Sequence, residues 1–363
     1  MSKIVIDARE WSTSTGRYIS GLVRHLEKID TANDYTVLLK PHDLEKWQPK
    51  AANFHKLACP YKEFTFSEQL GFKKQLTGLK ADLVHFGMVQ QPVRYKGKTV
   101  TTMNDLTTLR YDNPSKNKLV FRLKQRIYGW LNRRVARKSS QIITYSQFVK
   151  DDVVSYAGID PAKVTAIPLA ADPITDPAEP LPALHSKRFI MYIGRPTPHK
   201  NLERLIDAFA ALRAQHPELM LVLAGKKDAN YQRIEDSVRR QAIKGVVFTD
   251  FVSEGRLRWL YENCAAYVFP SLSEGFGLPG LEAMLHGAPV VSSDATCLPE
   301  VYGKAAHYFD PTDTRAITDA INEVLTDTHL RQDLVKKGKA QAAKYSWQRT
   351  AEQTLEVYKK ALS

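Results

Sequence analysis

Short apolar runs alternate with helix-like segments along the whole chain, and the alternation is laid down twice. In the first half the runs fall at 3–7, 35–39, 82–86, 99–103 and 141–145; in the second they fall at 189–193, 220–224, 246–248, 266–269, 290–292 and 306–309. Continuous apolar strands separated by helices belong to parallel sheets covered on both faces. The segment 199–216 carries Leu202, Leu205, Ile206, Phe209 and Leu212 on one helical face, and Ser146 is placed to cap the helix after the strand at 141–145. A chain of 363 residues exceeds what one core usually supports. Five prolines between Pro168 and Pro182 interrupt regular structure between the halves. The expected organisation is α/β: two Rossmann-like, doubly wound domains facing across a cleft, with ligand at the carboxyl ends of the strands. The boundaries read as 1–170 and 188–345, a linker over 171–187, and a final helix over 346–363.

Composition narrows the class. Hydrophobic residues make up 43% and charged residues 25%, ordinary for a water-soluble globular protein. No run approaches the ~20 apolar residues of a membrane span. The opening residues place Asp7 and Arg9 straight after a short apolar run, which reads as no signal peptide. Cys59, Cys264 and Cys297 are scattered without CxxC pairing and read as small buried residues in a reducing compartment. The expected location is the cytoplasm, peripheral at the inner face of the cell membrane. The net charge of +13 is uneven: residues 1–180 hold 28 Lys and Arg against 18 Asp and Glu, the remainder 24 against 21. The first half is therefore expected to meet something acidic.

The chemistry concentrates in Ser271-Leu-Ser-Glu274-Gly-Phe-Gly-Leu-Pro-Gly-Leu-Glu282-Ala-Met. A strand at 265–270 precedes it, and a helix over 279–286 with proline at its first position closes it. Gly275 and Gly277 let backbone approach a ligand closely, and the helix N-terminus turns free N–H groups and positive potential toward the loop. Such a turn suits an anionic, hydroxyl-rich ligand, with Glu274 and Glu282 accepting from hydroxyls; the plain alternative is two solvated glutamates. Upstream, Gly194-Arg195-Pro-Thr-Pro-His-Lys200 ends a strand and opens a helix. Two cations there can clamp a diphosphate, or they are solvated surface charges. The next two strand ends carry Gly225 and Phe251-Val252.

This set resembles the Glu-x7-Glu region of the family 4 retaining glycosyltransferases, which have the GT-B fold. The resemblance runs from residue 4 to about residue 361, is most specific over 189–311, and implies that the final helix over 346–363 crosses back to the first domain. It implies that Arg195 and Lys200 hold the donor diphosphate and that Glu274 takes the sugar hydroxyls. It implies further that the amides around Gly275, Phe276, Gly277 and Leu278 support sugar and phosphate, and that Glu282 takes the ribose. Gly194 and Gly225 would lie beside the nucleotide, and Phe251 and Val252 would meet the base largely through backbone; Phe251 reads equally as ordinary core. In the first half, Gly16 matches a family glycine near the donor phosphate, whereas the earlier glycine of that turn is Ser14 here. Many relatives have His-Asp where this chain has Asn104-Asp105. Asn104 hydrogen-bonds but carries no proton at neutral pH, and both residues read either as cleft residues or as a turn. His85 is a further candidate, with a satisfied buried histidine as the plain reading.

The chain contains no Asp-x-Asp, and the resemblance implies a metal-independent mechanism with no cofactor beyond the nucleotide-sugar co-substrate. Arg195, Lys200 and helix dipoles would neutralise the leaving diphosphate, and front-face attack would retain configuration without a carboxylate nucleophile. The strings Glu274-Gly-Phe-Gly-Leu-Pro, Asn104-Asp-Leu and Pro299-Glu-Val most resemble the mannosyltransferase-like branch, so GDP-mannose is the first donor expected. The acceptor would be a saccharide or lipid-linked saccharide of cell-surface polysaccharide. Other GT-B activities, such as a nucleotide-sugar epimerase or a phosphorylase, are the enzymatic alternative.

Residues 116–138 hold nine cations and no acid, with Leu119, Leu123, Ile127, Trp130 and Leu131 at helical spacing. A basic amphipathic helix with tryptophan suits an anionic membrane surface. The alternative is a domain helix with its apolar stripe in the core and a solvated basic face. No nucleic-acid module accompanies the charge, so nucleic acid is not an expected partner.

Overall fold

The computed structural model describes residues 1–13, 16–111 and 118–363. Ser14 and the start of the basic stretch lie outside the described residues. The chain divides into two compact units: Met1–Leu109 with Leu123–Leu169 and Ser346–Ser363, and Arg110–Arg122 with Ala170–Tyr345.

The first unit is built on a seven-stranded sheet of β1 (Lys3–Asp7), β2 (Asp34–Leu39), β3 (Phe54–Ala58), β4 (Leu83–Phe86), β5 (Thr99–Thr102), β6 (Gln141–Thr144) and β7 (Val164–Ala166). Their order is β3-β2-β1-β4-β5-β6-β7, and neighbouring strands pair in parallel. The second unit holds β8 (Phe189–Ile193), β9 (Met220–Ala224), β10 (Val246–Asp250), β11 (Ala266–Phe269), β12 (Val290–Ser293) and β13 (Ala306–Phe309). These six also pair in parallel, in the order β10-β9-β8-β11-β12-β13. Strand order reverses between β1 and β4 in one sheet and between β8 and β11 in the other. At each reversal the crossover helices leave to opposite faces and open a crevice at the carboxyl ends.

Every strand expected from the sequence is present. β3 and β7 are additional, both edge strands: β3 alternates buried and exposed residues and β7 has three residues, so neither shows the continuous apolar run of a central strand. The helix expected over 199–216 forms over Leu202–Leu212, because Asn201 adopts left-handed backbone and a 3-10 turn, Pro198–Lys200, precedes it. Ser146 caps its helix as expected, accepting the N–H of Val149 at 3.3 Å.

The final helix, Trp347–Leu362, packs within the first unit. A Cβ on Gly21 would sit 2.7 Å from the Trp347 indole, and Thr350 donates to the Pro168 carbonyl at 2.8 Å. The proline-rich segment is laid against the second unit: Glu179 N–H reaches the Gly255 carbonyl at 3.0 Å, and Ile174 N–H reaches His286 Nε2 at 3.0 Å.

In the basic helix, Lys118–Lys138, the alternative with the apolar stripe in the core holds, among the described residues, only for Leu131, which is half-buried against the cluster of Val135, Ala136, Ile142 and Val149. Gly129, Asn132, Val135 and Ala136 face inward, while Leu123, Ile127 and Trp130 stand exposed. A Cβ on Gly129 would lie 2.9 Å from the Tyr156 hydroxyl, so glycine lets the helix pack closely there, and the buried face lies about half a turn from the one that hydropathy marks.

Candidate active site

The crevice of the second sheet collects its functional side chains on four adjacent strand ends. β8 runs into Gly194 (φ +149°) and Arg195; the guanidinium is exposed, and Lys200 follows on the 3-10 turn. β11 runs into the loop that carries Glu274. The two arms meet in an ion pair, Lys200 Nζ to Glu274 Oε1 at 2.5 Å, with the side chains 19% and 12% exposed. The ammonium also lies 5.5 Å from the Phe269 ring centroid.

What holds these arms together was not marked in the sequence. Asn201, at φ +59°, donates from Nδ2 to the carbonyls of Pro270 (3.1 Å) and Pro311 (2.7 Å), and Arg204 backs it through Oδ1 at 3.0 Å. The Leu272 N–H reaches the His199 carbonyl at 2.7 Å. On the far side of the loop, Thr296 Oγ1 accepts the Glu274 N–H at 3.2 Å and the Cys297 thiol donates to the Glu274 carbonyl at 3.2 Å. Burial and the neighbouring Glu274 push the Cys297 thiol up, so it remains a donor. Glu274 is therefore fixed at its backbone while its carboxylate faces Lys200.

The glycine loop needs its glycines. Gly277 caps the helix Leu278–Leu285 at φ +93°, and a Cβ there would lie 2.5 Å from the Tyr302 hydroxyl, which donates to the Gly277 carbonyl at 2.5 Å. The helix begins one residue earlier than expected, with Pro279 at its second position, where the missing N–H is still no loss. Gly275 and Phe276 are buried, and the Phe276 ring meets Tyr345 edge-on at 5.5 Å. Glu282 is 3% exposed and accepts from the Tyr261 hydroxyl at 3.3 Å.

The remaining strand ends stack beside this site. A Cβ on Gly225 (φ +153°) would lie 2.3 Å from the Gly194 carbonyl, so the turn after β9 lies directly on the turn after β8. Gly225 N–H in turn reaches the Asp250 carbonyl at 3.2 Å, which brings in the turn after β10. Val252 is buried there, and Phe251 is 77% exposed, so the reading of Phe251 as core does not hold. Arg195, Lys200, Glu274 and the surrounding loop amides give one crevice cationic groups, a carboxylate and a helix N-terminus. That combination is chemically suited to a phosphorylated, hydroxyl-bearing ligand.

The first unit places its own candidates at the carboxyl end of its sheet. Gly16 opens the helix Gly16–Ile29, where a Cβ would lie 1.9 Å from the Glu10 carbonyl. Asp105 Oδ1 accepts the Thr107 N–H at 2.8 Å and caps the turn Thr107–Arg110, the turn role anticipated for it. Asn104 Oδ1 is buried and has no hydrogen-bond partner among the described residues. His85 is satisfied on both ring nitrogens, by Tyr358 (2.7 Å) and Thr102 (2.9 Å), and burial lowers its pKa to about 3. It is a neutral core histidine.

Sequence reading also passed over a buried charge cluster at the end of β1. Arg9 donates to Asp7 (2.8 and 2.9 Å) and to Glu68 (3.0 Å), with all three residues at most 5% exposed. Its only sequence trace is the Asp-Ala-Arg that ends the first apolar run. Beside it Lys40 bridges Glu10 and Glu63, both at 3.1 Å, and these two glutamates line a pocket with Asp7, Arg9 and Gly87. Among the described residues no three His, Cys, Asp or Glu side chains assemble as metal ligands.

Residues 177–341 match the family model described as glycosyl transferases group 1, and residues 16–174 match that of Glycosyltransferase Family 4. The chain is 35% identical over 234 residues to the O-antigen chain mannosyltransferase B of Escherichia coli; the match covers 60% of this chain and 60% of that relative's length. Among solved structures, a sucrose-phosphate synthase from Thermosynechococcus elongatus superposes with a TM-score of 0.77 at 18% identity, covering 99% of each chain. Anabaena Alr3699/HepE, in complex with UDP and glucose, gives 0.75 at 18% identity over 99% of this chain and all of that one. At such identity these two likenesses are of fold. With two family models spanning nearly its whole length and the GT-B arrangement of sheets, this chain belongs to the glycosyltransferases, family 4 in its first part and group 1 in its second.

Proposed function

We propose that this enzyme transfers a hexose, with retention of configuration and without a metal, from a nucleotide-diphosphate sugar to a saccharide or lipid-linked saccharide in cell-surface polysaccharide synthesis. GDP-mannose is the donor we favour, in keeping with the mannosyltransferase similarity. The observation that carries the reading is the Lys200–Glu274 pair at the topological switch point of the second sheet. It sets a cation for the diphosphate beside a carboxylate for the sugar, where a doubly wound sheet binds its ligand.

In this reading Arg195 and Lys200 neutralise the departing diphosphate, assisted by the dipole of the helix Leu278–Leu285. Two cations at that point take the part a divalent ion plays elsewhere. Glu274, fixed through Thr296 and Cys297, orients the sugar by its hydroxyls. Glu282 binds the ribose, and the backbone near Phe251 and Val252 meets the base. The acceptor hydroxyl approaches the same face that the diphosphate leaves, and a phosphate oxygen takes its proton. Asn104 contributes a hydrogen bond and no proton. The enzyme acts at the inner face of the cell membrane as a peripheral protein; among the described residues no helix is long and apolar enough to cross a bilayer.

A thermal-shift screen across UDP-, GDP- and ADP-sugars, followed by product analysis with an acceptor, tests this. A selective donor stabilises the fold by mass action. Sugar transfer to the acceptor supports the proposal; conversion of the nucleotide sugar without any acceptor would make the enzyme an epimerase, and sugar phosphate formed from a saccharide would make it a phosphorylase.

A further inference from the structure

The first unit exposes large apolar side chains on two neighbouring segments. Phe64, Phe66 and Leu70 are 67%, 89% and 72% exposed; Leu123, Ile127 and Trp130 on the basic helix are 56–60% exposed. The Phe64 ring lies 6.2 Å from that of Tyr128, so the segments adjoin. Isolated exposed apolar residues need no explanation, but a contiguous group marks an interaction surface.

The fold holds the Phe64 segment in place at a cost. Phe64 has left-handed backbone (φ +61°), rare for a bulky residue. Its N–H is received by Glu68 Oε2 at 3.0 Å, and the other oxygen of that buried carboxylate accepts from Arg9 at 3.0 Å. The protruding phenylalanines are thus tied to the charge cluster at the end of β1. Charge around them is sorted by direction. The acids of this segment face inward, Glu63 to Lys40 and Glu68 to Arg9. Lys62 and Lys74 are exposed on the same segment, and Lys124, Arg126 and Arg134 on the helix. Burial first, and then the nearby cations Arg134 and Lys73, disfavour the charge of Lys138. An apolar patch with exposed cations on the same two segments complements an anionic lipid surface, whose headgroups meet the charges while the aromatic rings enter the acyl boundary.

We infer that Phe64, Phe66 and Leu70 together with Leu123, Ile127 and Trp130 form one membrane-inserting face, with the strained Phe64 turn as its second wedge beside the basic helix. This deepens, and rests on, the proposal that the acceptor is presented at a membrane.

Sedimentation with vesicles of equimolar phosphatidylglycerol and phosphatidylcholine tests the inference, with pure phosphatidylcholine vesicles as control. Wild-type protein is expected to bind the anionic vesicles, to be released by high salt, and to have fluorescence quenched by brominated lipid, a quenching lost in Trp130→Phe. The Phe64→Ser/Phe66→Ser variant should bind about tenfold more weakly or worse, while transferring sugar to a short water-soluble acceptor at the wild-type rate. Equal vesicle binding by that variant, or quenching that survives Trp130→Phe, would overturn the inference. So would concentration-dependent self-association, or binding to duplex DNA, without vesicle binding. Vesicle binding with no transfer from any nucleotide sugar would instead sink the proposed activity and leave this surface standing.

Discussion

Replacing Lys200 with alanine separates a ligand-binding cation from a merely structural one. In the structure its ammonium is committed to Glu274 at 2.5 Å, both side chains being mostly buried. A diphosphate entering this crevice would share or take over that ammonium. A hydrogen bond to a charged group contributes about 1.5–3 kcal/mol, and each 1.4 kcal/mol is about a tenfold change. Lys200→Ala should therefore weaken a free nucleoside diphosphate by about ten- to a hundredfold in isothermal titration calorimetry. Glu274→Gln removes the competitor for Lys200. Nucleoside diphosphate should then bind at least as tightly as to wild type, while sugar transfer falls because a neutral amide replaces the charged acceptor of the sugar hydroxyls. The double variant should show non-additive coupling, as groups in contact do. If Lys200 served only to hold Glu274, both single variants would lose transfer alike and nucleoside-diphosphate affinity would not move in either. That pattern would refute the assignment.

Arg195→Ala, at the exposed end of β8, should also weaken free nucleoside diphosphate measurably by calorimetry, and unchanged affinity would remove it from the site. Glu282→Gln should weaken nucleotide itself rather than only the sugar donor, the reverse of Glu274→Gln. Arg9→Met leaves Asp7 and Glu68 as buried carboxylates without their cation, so chemical denaturation should show a loss of about 3–5 kcal/mol. His85 is depressed from 6.5 in the unfolded chain to about 3 in the fold. The unfolded state binds the extra proton, so its contribution to stability is complete above pH 6.5 and is lost as pH falls toward 3, by at most about 1.4 kcal/mol per pH unit. Its ring proton resonances should not titrate between pH 5 and 8; a midpoint near neutrality would contradict the buried neutral assignment.

Central strands and their turns were legible because burial on both faces writes an uninterrupted apolar run, as in 189–193 and 266–269. Edge strands β3 and β7 were not, since β3 breaks its apolar run with exposed His55 and Leu57 and half-buried Lys56, and β7 is only three residues long. The arms of the site were readable from glycine spacing and charge at strand ends. Their mutual pairing was not, because Lys200 and Glu274 lie 74 positions apart and only the β8–β11 adjacency joins them. Asn201 adopts left-handed backbone that asparagine permits but does not announce, and Thr296 adopts the same region although a β-branched residue disfavours it. The basic helix misled because hydropathy marks a stripe without saying which side meets protein; small residues at Gly129 and Ala136 decided that.

One measurement bears most directly on the whole account: proton NMR of the first-formed product when the enzyme, its acceptor and GDP-mannose react in excess EDTA. The account predicts undiminished turnover and a product whose new glycosidic bond keeps the anomeric configuration of the donor. Inverted product, or turnover abolished by EDTA and restored by a divalent cation, would contradict it.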